Sequence, residues 1–115
     1  MEFRDRTKKF AASTVRLFVA LPKQREEVRT LGKQLPRSGT SVAAHVREAS
    51  RARSDDEFVS KLGGALQEAD ESQLWLELLR DDCAVRSESL EALQREAGEL
   101  IAIFVTMVNK TRRKS

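Results

Sequence analysis

The sequence has little of what disulfide-rich, β-rich and metal-binding proteins use. Its 115 residues include one cysteine, one histidine, two prolines, five glycines and no tyrosine. The lone cysteine, Cys83, excludes an internal disulfide and a cysteine-based zinc site. Few turn residues and an aromatic content of 5% argue against an all-β sandwich. The composition therefore predicts long helices joined by short connections.

Long hydrophobic runs are absent as well. The longest, from Leu100 to Val108, has nine residues interrupted by Thr106, which is too short to span a bilayer. Residues Met1 to Arg6 mix acids with bases, and no apolar segment typical of a signal peptide is found there. We therefore expect no membrane association and a reducing, cytoplasmic location, where an unpaired cysteine is normal.

What is present is the hydrophobic periodicity of amphipathic helices. Apolar residues recur every three or four positions in four segments, which predicts helices over residues 2–21, 23–50, 55–83 and 88–112. The third stripe is the most regular and contains Phe58, Leu62, Ala65, Ala69, Ser72, Leu76, Leu79 and Cys83. Long helices with short connections predict an all-α fold, an antiparallel up-down four-helix bundle that forms a single domain over residues 1–115.

Local signals mark two helix starts and two irregularities. Ser54 with Glu57 three residues later forms a capping box, and Ser87 is placed to begin the fourth helix. Pro36 inside the second stripe predicts a kink or break just before it, because proline cannot donate the helical hydrogen bond. Gly63-Gly64 inside the third stripe indicates either a close approach by another backbone or a tolerated irregularity.

Catalytic chemistry finds little support in the sequence. His45 lies on the inward stripe of the second helix and forms H-x-x-E with Glu48, but di-iron bundles need two histidines. Phosphate-loop, nucleophile-elbow and zinc-helix motifs are missing. Cys83 is expected to be a small buried hydrophobe. We predict a non-enzymatic protein with no catalytic residue, metal, cofactor or small-molecule substrate; a metal-dependent bundle is the least favoured alternative.

Charge is distributed unevenly along the chain. Its 21 Lys and Arg residues exceed its 18 Asp and Glu residues by three, and residues 106–115 alone carry a net charge of +4. In an up-down bundle, that segment shares one end with the start of the first helix and the second connection. The residues predicted to bind nucleic acid at this basic pole are Arg4, Arg6, Lys8, Lys9, Arg47, Arg51, Arg53, Lys110, Arg112, Arg113 and Lys114. Such a surface suits RNA phosphates, although basic helix ends also complement the helix dipole and aid solubility.

The third and fourth helices contain more apolar residues than one inward stripe requires. The surplus predicts an oligomer interface formed by Leu74, Trp75, Leu78, Ile103 and Val105. A wide core contact with both flanking helices is the alternative explanation. Closed rings are the usual form of soluble homo-oligomers.

Four stretches of the sequence occur in a familiar order: LGKQLPRSGTSV (31–42), REA (47–49), SDDEFVSKL (54–62) and QEADESQLWLELL (67–79). Across residues 10–108, the chain resembles a bacterial four-helix-bundle family, named for proteins encoded in intervening sequences of 23S rRNA genes. Its distant relatives include the accessory variability determinant of diversity-generating retroelements. The resemblance implies a homopentameric ring, and the retroelement relatives bind a reverse transcriptase and RNA through the basic surface of that ring.

The chain departs from the usual family pattern at several positions. His45 stands where the family usually has Asn, Ala43 where it has Gly, Pro36 where it has an apolar residue, Gly63-Gly64 where it has Ile-Ala and Gln67 where it has Lys. Two hypotheses for function follow. The first is a homo-oligomeric accessory protein that binds RNA or a nucleoprotein through the basic pole, and the second is a structural or protein-interaction module without nucleic-acid affinity.

Overall fold

The computed structural model describes residues 2–114, and every regular element in that range is an α-helix. The four helices are α1 (Glu2–Ala20), α2 (Glu26–Ser50), α3 (Asp55–Asp81) and α4 (Glu88–Lys114). Consecutive helices pack against each other and α4 also packs against α1. The body measures about 50 × 20 × 20 Å. The predicted all-α class and four-helix packing are confirmed. Over the same range, no helix combines the length and apolarity needed to cross a bilayer.

Contacts between neighbouring helices show that they run antiparallel. In the last two helices, Arg80 lies 4.0 Å from Glu91, whereas Asp55 near the start of α3 lies 3.9 Å from Lys114 near the end of α4. Pairs between α1 and α2 and between α2 and α3 follow the same inverse order. The ends of α2 and α4 therefore share one end of the bundle with the starts of α1 and α3.

The stripes predicted to face inward form the core. Six residues of the α3 stripe are fully or almost fully buried: Leu62, Ala65, Ala69, Ser72, Leu76 and Leu79. The buried serine and threonine hydroxyls of the stripes have hydrogen-bond partners, as burial without them would be costly. Ser38 Oγ and Ser72 Oγ lie 2.7 Å apart across α2 and α3, and Thr14 Oγ1 donates to the carbonyl of Ala11. Periodicity therefore identified the core correctly.

Serine hydroxyls begin α3 and α4 as the sequence predicts. Ser54 Oγ accepts a hydrogen bond from the backbone N–H of Glu57 at 3.0 Å. Ser87 Oγ accepts one from the N–H of Leu90 at 3.3 Å. Each bond satisfies one of the amide groups that a helix N-terminus leaves without an intrahelical partner.

The first connection is longer than the sequence predicts, because α2 begins at Glu26 and not at residue 23. The Lys23 ammonium donates to the carbonyls of Phe18, Val19 and Leu21 and so caps the end of α1. Because Lys23 caps the end of α1, α2 begins later in the chain. The other differences are smaller: α1 ends at Ala20, α3 ends at Asp81 and α4 continues to Lys114.

Pro36 does not break α2: of the predicted kink or break, the break is wrong. The helix is continuous from Glu26 to Ser50. An interior proline costs about 3 kcal/mol in an isolated helix. Here Leu35, Ser38 and Gly39 are buried beside it. Packing therefore holds both halves of α2 in place despite the missing hydrogen bond.

Three glycines differ in what surrounds them. A Cβ at Gly39 would overlap the Thr14 side chain of α1. A Cβ at Gly64 would lie 2.8 Å from the His45 ring, whereas one at Gly63 would meet no atom within 4 Å. The two interpretations of Gly63-Gly64 thus divide between the residues. Gly64 is a close approach, made by a side chain and not by a backbone, and Gly63 is a tolerated glycine.

Cys83 is expected to react slowly with thiol reagents in the folded protein. It is 3% exposed, and Arg25 Nη1 donates to its backbone carbonyl at 2.7 Å. Because only an accessible thiolate is nucleophilic, labelling by DTNB should be at least about 100-fold slower in buffer than in denaturant. The rate is read from the absorbance of the released thiolate. Equal rates in the two solvents would contradict the burial of this side chain.

Candidate nucleic-acid interface

Three chain segments meet at the end of the bundle where α2 passes into α3 and α4 finishes. Ala52, Asp55 and Phe58 line a shallow cavity of about 520 Å³ together with Thr111 and Lys114. This contact brings the connection between α2 and α3 beside the cationic tail of α4. The candidate interface consists of Arg51, Arg53, Lys110, Arg112, Arg113 and Lys114, and we call it the basic end.

Most cations of the basic end are free of carboxylate partners. Lys114 Nζ lies 3.9 Å from Asp55, and Arg53 Nε lies 3.9 Å from Glu57. Exposed pairs at such distances hold their partners weakly. The other four cations, Arg51, Lys110, Arg112 and Arg113, are exposed and have no carboxylate within 4 Å among residues 2–114. They can therefore bind phosphate oxygens without first breaking an internal ion pair.

Three acidic residues beside the basic end have a structural role. Asp55, Asp56 and Glu57 occupy the first turn of α3, where the helix dipole favours negative charge. The last turn of α4 contains Arg112, Arg113 and Lys114, which complement its negative end. The opposite charges thus follow from the opposite directions of α3 and α4. The cations outnumber the acids, so the end as a whole remains positive.

Arg6 is half-buried, and its guanidinium is hydrogen-bonded to carboxylates of α4. Its Nε and Nη2 donate to the two carboxylate oxygens of Glu96 at 2.8 Å, and Nη2 also donates to Glu99 at 2.9 Å. These hydrogen bonds, above all those from Glu96, raise the pKa of Arg6 further above its ordinary value. A bidentate guanidinium–carboxylate pair is strong and directional. Arg6 therefore ties α1 to α4.

The start of α1 is set back from the basic end. The Phe3 ring lies 5.9 Å from that of Phe104, and α4 continues for ten residues beyond Phe104. Ten helical residues rise about 15 Å. Arg4 is half-buried, and Lys8 and Lys9 are exposed on α1. The cations of the predicted basic pole therefore form two groups at different positions along the bundle axis, one on α1 and one at the basic end. Exposed Arg47, one turn before Arg51, lies on α2.

Charge differs more strongly between the two helical hairpins, α1–α2 and α3–α4, than between the two ends of the bundle. Residues 6–25 and 28–47 contain ten Lys and Arg residues and no Asp or Glu. Residues 55–109 contain thirteen Asp and Glu residues and four Lys and Arg residues. Arg16, Arg29 and Lys33 were not among the predicted cations, although they are exposed and have no carboxylate within 4 Å in the described range. The long acid-free runs were the signal that could have found them.

The five residues predicted as an oligomer interface do not share one side of the bundle. Leu74 and Val105 are 46% and 40% exposed, whereas Trp75, Leu78 and Ile103 are half-buried. Ile103 and Val105 are two positions apart on α4, so they point to different sides. Leu74 and Leu78 are four apart and do share a stripe. Two exposed residues on α1 were missed, Val15 at 40% and Val19 at 70%.

His45 packs between helices α2 and α3. Its ring lies against Gly64, and Nδ1 lies 3.4 Å from Glu48 Oε1. Glu48 is also 3.5 Å from Lys61 Nζ, which joins α2 to α3. Within residues 2–114, His, Cys, Asp and Glu side chains form no group of three or more that could hold a metal ion. The arrangement around His45 is thus an inter-helix contact.

Comparison with known proteins places this fold in a family. The family model described as 23S rRNA-intervening sequence protein matches residues 1–106. The chain belongs to that family. A crystal structure of a protein with unknown function from the S23 ribosomal protein family of Bacteroides thetaiotaomicron VPI-5482 is 33% identical, with a TM-score of 0.81 over 91% of this chain and 96% of that one. Among curated proteins, no significant match was found.

Family membership confirms the resemblance drawn from residues 31–79. The match to the 23S rRNA-intervening sequence family ends at residue 106, before Lys110 and the cations that follow it. Neither the family description nor that of the solved relative names a catalytic activity. The family thus accounts for the bundle, whereas Lys110, Arg112, Arg113 and Lys114 lie outside the matched range.

Proposed function

We propose that this member of the 23S rRNA-intervening sequence family is a non-enzymatic cytoplasmic protein that binds RNA, alone or in a nucleoprotein, through its basic end. It acts as a homo-oligomer, a pentamer if it assembles as the resemblance implies, so that several basic ends are presented together. The observation that carries the proposal is the group of four exposed cations without carboxylate partners: Arg51, Lys110, Arg112 and Arg113.

Phosphate recognition follows from the chemistry of these side chains. Guanidinium groups bind phosphate oxygens in a bidentate manner, and lysine adds a point charge. Phe10 is buried, and Phe3 and Phe58 are half-buried, which leaves little exposed ring surface for stacking bases. Binding without base stacking depends on the backbone and on the shape of the RNA and has little sequence preference. We therefore propose structured RNA as the ligand class.

The proposal is tested by the salt dependence of binding to a fluorescein-labelled RNA hairpin, followed by anisotropy between 50 and 300 mM KCl. Four phosphate contacts predict that log K falls with log[KCl] with a slope of about −3 to −4. Arg112→Gln/Arg113→Gln should make that slope shallower by about 2 and weaken binding at every salt concentration. A flat salt dependence, or no binding at 50 mM KCl, contradicts the proposal.

A control variant removes the same charge elsewhere. Arg86 and Arg95 line a shallow cavity at the start of α4, at the other end of the molecule. Arg86→Gln/Arg95→Gln should leave the salt slope close to that of the unmodified protein, because neither cation belongs to the basic end. If this control loses as much affinity as the Arg112 and Arg113 variant, binding depends on net charge and not on a localised site.

The alternative function is a structural or protein-interaction module without nucleic-acid affinity. Its support is the exposed apolar surface, above all Val19 and Leu74. Under this alternative, deleting residues 110–115 leaves association with a protein partner intact, and RNA binding is absent in the full chain as well. The same anisotropy titration therefore separates the two functions.

A further inference from the structure

One lateral face of the bundle combines exposed apolar residues with unpaired cations. On α1, Val15 and Val19 are one turn apart, and Lys8 is two turns before Val15, which puts all three on one stripe. On α2, Arg29, Lys33 and Pro36 follow the same spacing. Close packing of Gly39 on Thr14, and of Gly32 on Phe18, brings the two helices side by side. We call the surface formed by these two stripes the α1–α2 face.

The cations of the α1–α2 face have no internal use. Lys8, Arg29 and Lys33 are exposed and have no carboxylate within 4 Å in the described part of the chain. Between residues 6 and 47, the only acidic residues are Glu26 and Glu27, at the start of α2. Val15 and Val19, 40% and 70% exposed, lie between these cations. An apolar centre with a charged rim is the usual anatomy of a protein interface, and on this rim Lys8, Arg29 and Lys33 outnumber the one acid of the stripe within residues 6–47, Glu26.

The outer stripe of α3 has the same anatomy with the opposite charge. Leu74 is 46% exposed, and Leu78, one turn later, is half-buried. Asp70 precedes Leu74 by one turn and Glu77 precedes Leu78 by one residue; neither forms an ion pair within 4 Å in residues 2–114. We call the stripe of Asp70, Leu74, Glu77 and Leu78 the α3 face. Its apolar centre and acidic rim complement the α1–α2 face.

We propose that the α1–α2 face of one copy docks on the α3 face of a second copy of the same chain. The valines of one face cover the leucines of the other, and Arg29 and Lys33 face Asp70 and Glu77. The inference rests on the homo-oligomer in the proposed function and specifies its interface. Because two different surfaces meet, the contact is heterologous, and each copy keeps one free face for the next.

Each side of the bundle is long enough to support a stable contact between copies. A side about 50 Å long and 20 Å wide can supply the roughly 800 Å² per partner that stable interfaces bury.

Docking through lateral faces leaves the basic end available to RNA. Arg112 and Arg113 lie in the last turn of α4, at the tip of the bundle, and α4 contributes to neither face. When copies are related by rotation about an axis parallel to the long axis of the bundle, their basic ends lie on the same side of the assembly. Assembly and RNA binding thus use different cations, which allows the two to be tested separately.

Charge reversal with rescue tests the interface. Arg29→Glu/Lys33→Glu makes both faces acidic, and Asp70→Lys/Glu77→Lys makes both basic. Each variant should elute as a protomer of 13.0 kDa by size-exclusion chromatography with light scattering, while the unmodified chain elutes at a multiple of that mass. Combining the four substitutions in one chain restores complementarity with the signs exchanged and should restore the larger mass. Arg95→Glu, on α4, is the matched control and should assemble like the unmodified protein.

Several outcomes overturn this interface. They are a lone 13.0-kDa protomer for the unmodified chain at micromolar concentration, an unchanged mass for either two-site variant, and a four-site variant that stays a protomer while retaining its helical circular dichroism. The RNA titration distinguishes this failure from failure of the proposed function. Arg112→Gln/Arg113→Gln should lose RNA affinity and still assemble. If Arg29→Glu/Lys33→Glu instead abolishes RNA binding at unchanged mass, the α1–α2 face binds RNA and the docking proposal is wrong.

Discussion

Replacing Phe104 by alanine is expected to lower the free energy of unfolding by about 3–5 kcal/mol, as for other fully buried aromatic residues. Phe104 is completely buried on α4, and its ring lies 5.9 Å from that of Phe3 on α1. Truncation removes apolar contact area and leaves a cavity at the contact between α1 and α4. The change is measured by urea unfolding followed by circular dichroism, through the midpoint at unchanged slope.

The neighbouring residue provides the control for the Phe104 variant. Val105 is 40% exposed, so Val105→Ala removes a side chain that is largely in water already. The expected loss is below about 1 kcal/mol. Similar losses at the two positions would mean that Phe104 is not packed more tightly than Val105.

Introducing leucine at Gly39 is expected to cost more than about 3 kcal/mol, since overpacking of this kind forces two helices apart. A Cβ alone would lie 2.7 Å from Thr14 Cγ2, and leucine adds three further carbons at the same point. Both Gly39 and Thr14 are buried, so neither side chain can escape into solvent. Thermal unfolding should show a large decrease in Tm, or a loss of the cooperative transition.

Gly63 provides the matched control for Gly39. A Cβ at Gly63 would meet no atom within 4 Å, so alanine there should fit without displacing anything. Alanine is favoured over glycine in a helix by about 1 kcal/mol, and Gly63→Ala should therefore raise Tm. A decrease in Tm for Gly63→Ala would show that the surroundings of α3 are closer than described.

The fold was predictable because its signals are local and repeated. Ser54 and Ser87 begin helices through bonds to residues three positions later, and this spacing can be read in the chain. The α3 stripe is periodic over seven turns, so a single polar member such as Ser72 does not hide it. Pro36 was misjudged for the converse reason. Its effect depends on packing by α1 and α3, which a local rule does not include.

The candidate site was less predictable than the fold. The sequence placed Arg6 among the RNA-binding cations, but its role depends on Glu96 and Glu99, about ninety positions away. The bundle topology correctly brought the end of α4 to the connection between α2 and α3. It did not predict that α4 extends past the start of α1. The relative positions of the helices along the bundle axis depend on how the core side chains pack.

The sequence by itself determined the helical class, the inward stripes, the helix starts at two serines and the concentration of positive charge in the first hairpin and the last six residues. These properties follow from spacing and composition, which do not require knowledge of distant contacts. Only the tertiary structure decided which cations are already paired, which glycine lies against a neighbouring side chain and which apolar residues remain exposed. Each of these depends on distances between residues far apart in the chain, and the packing of four helices sets those distances.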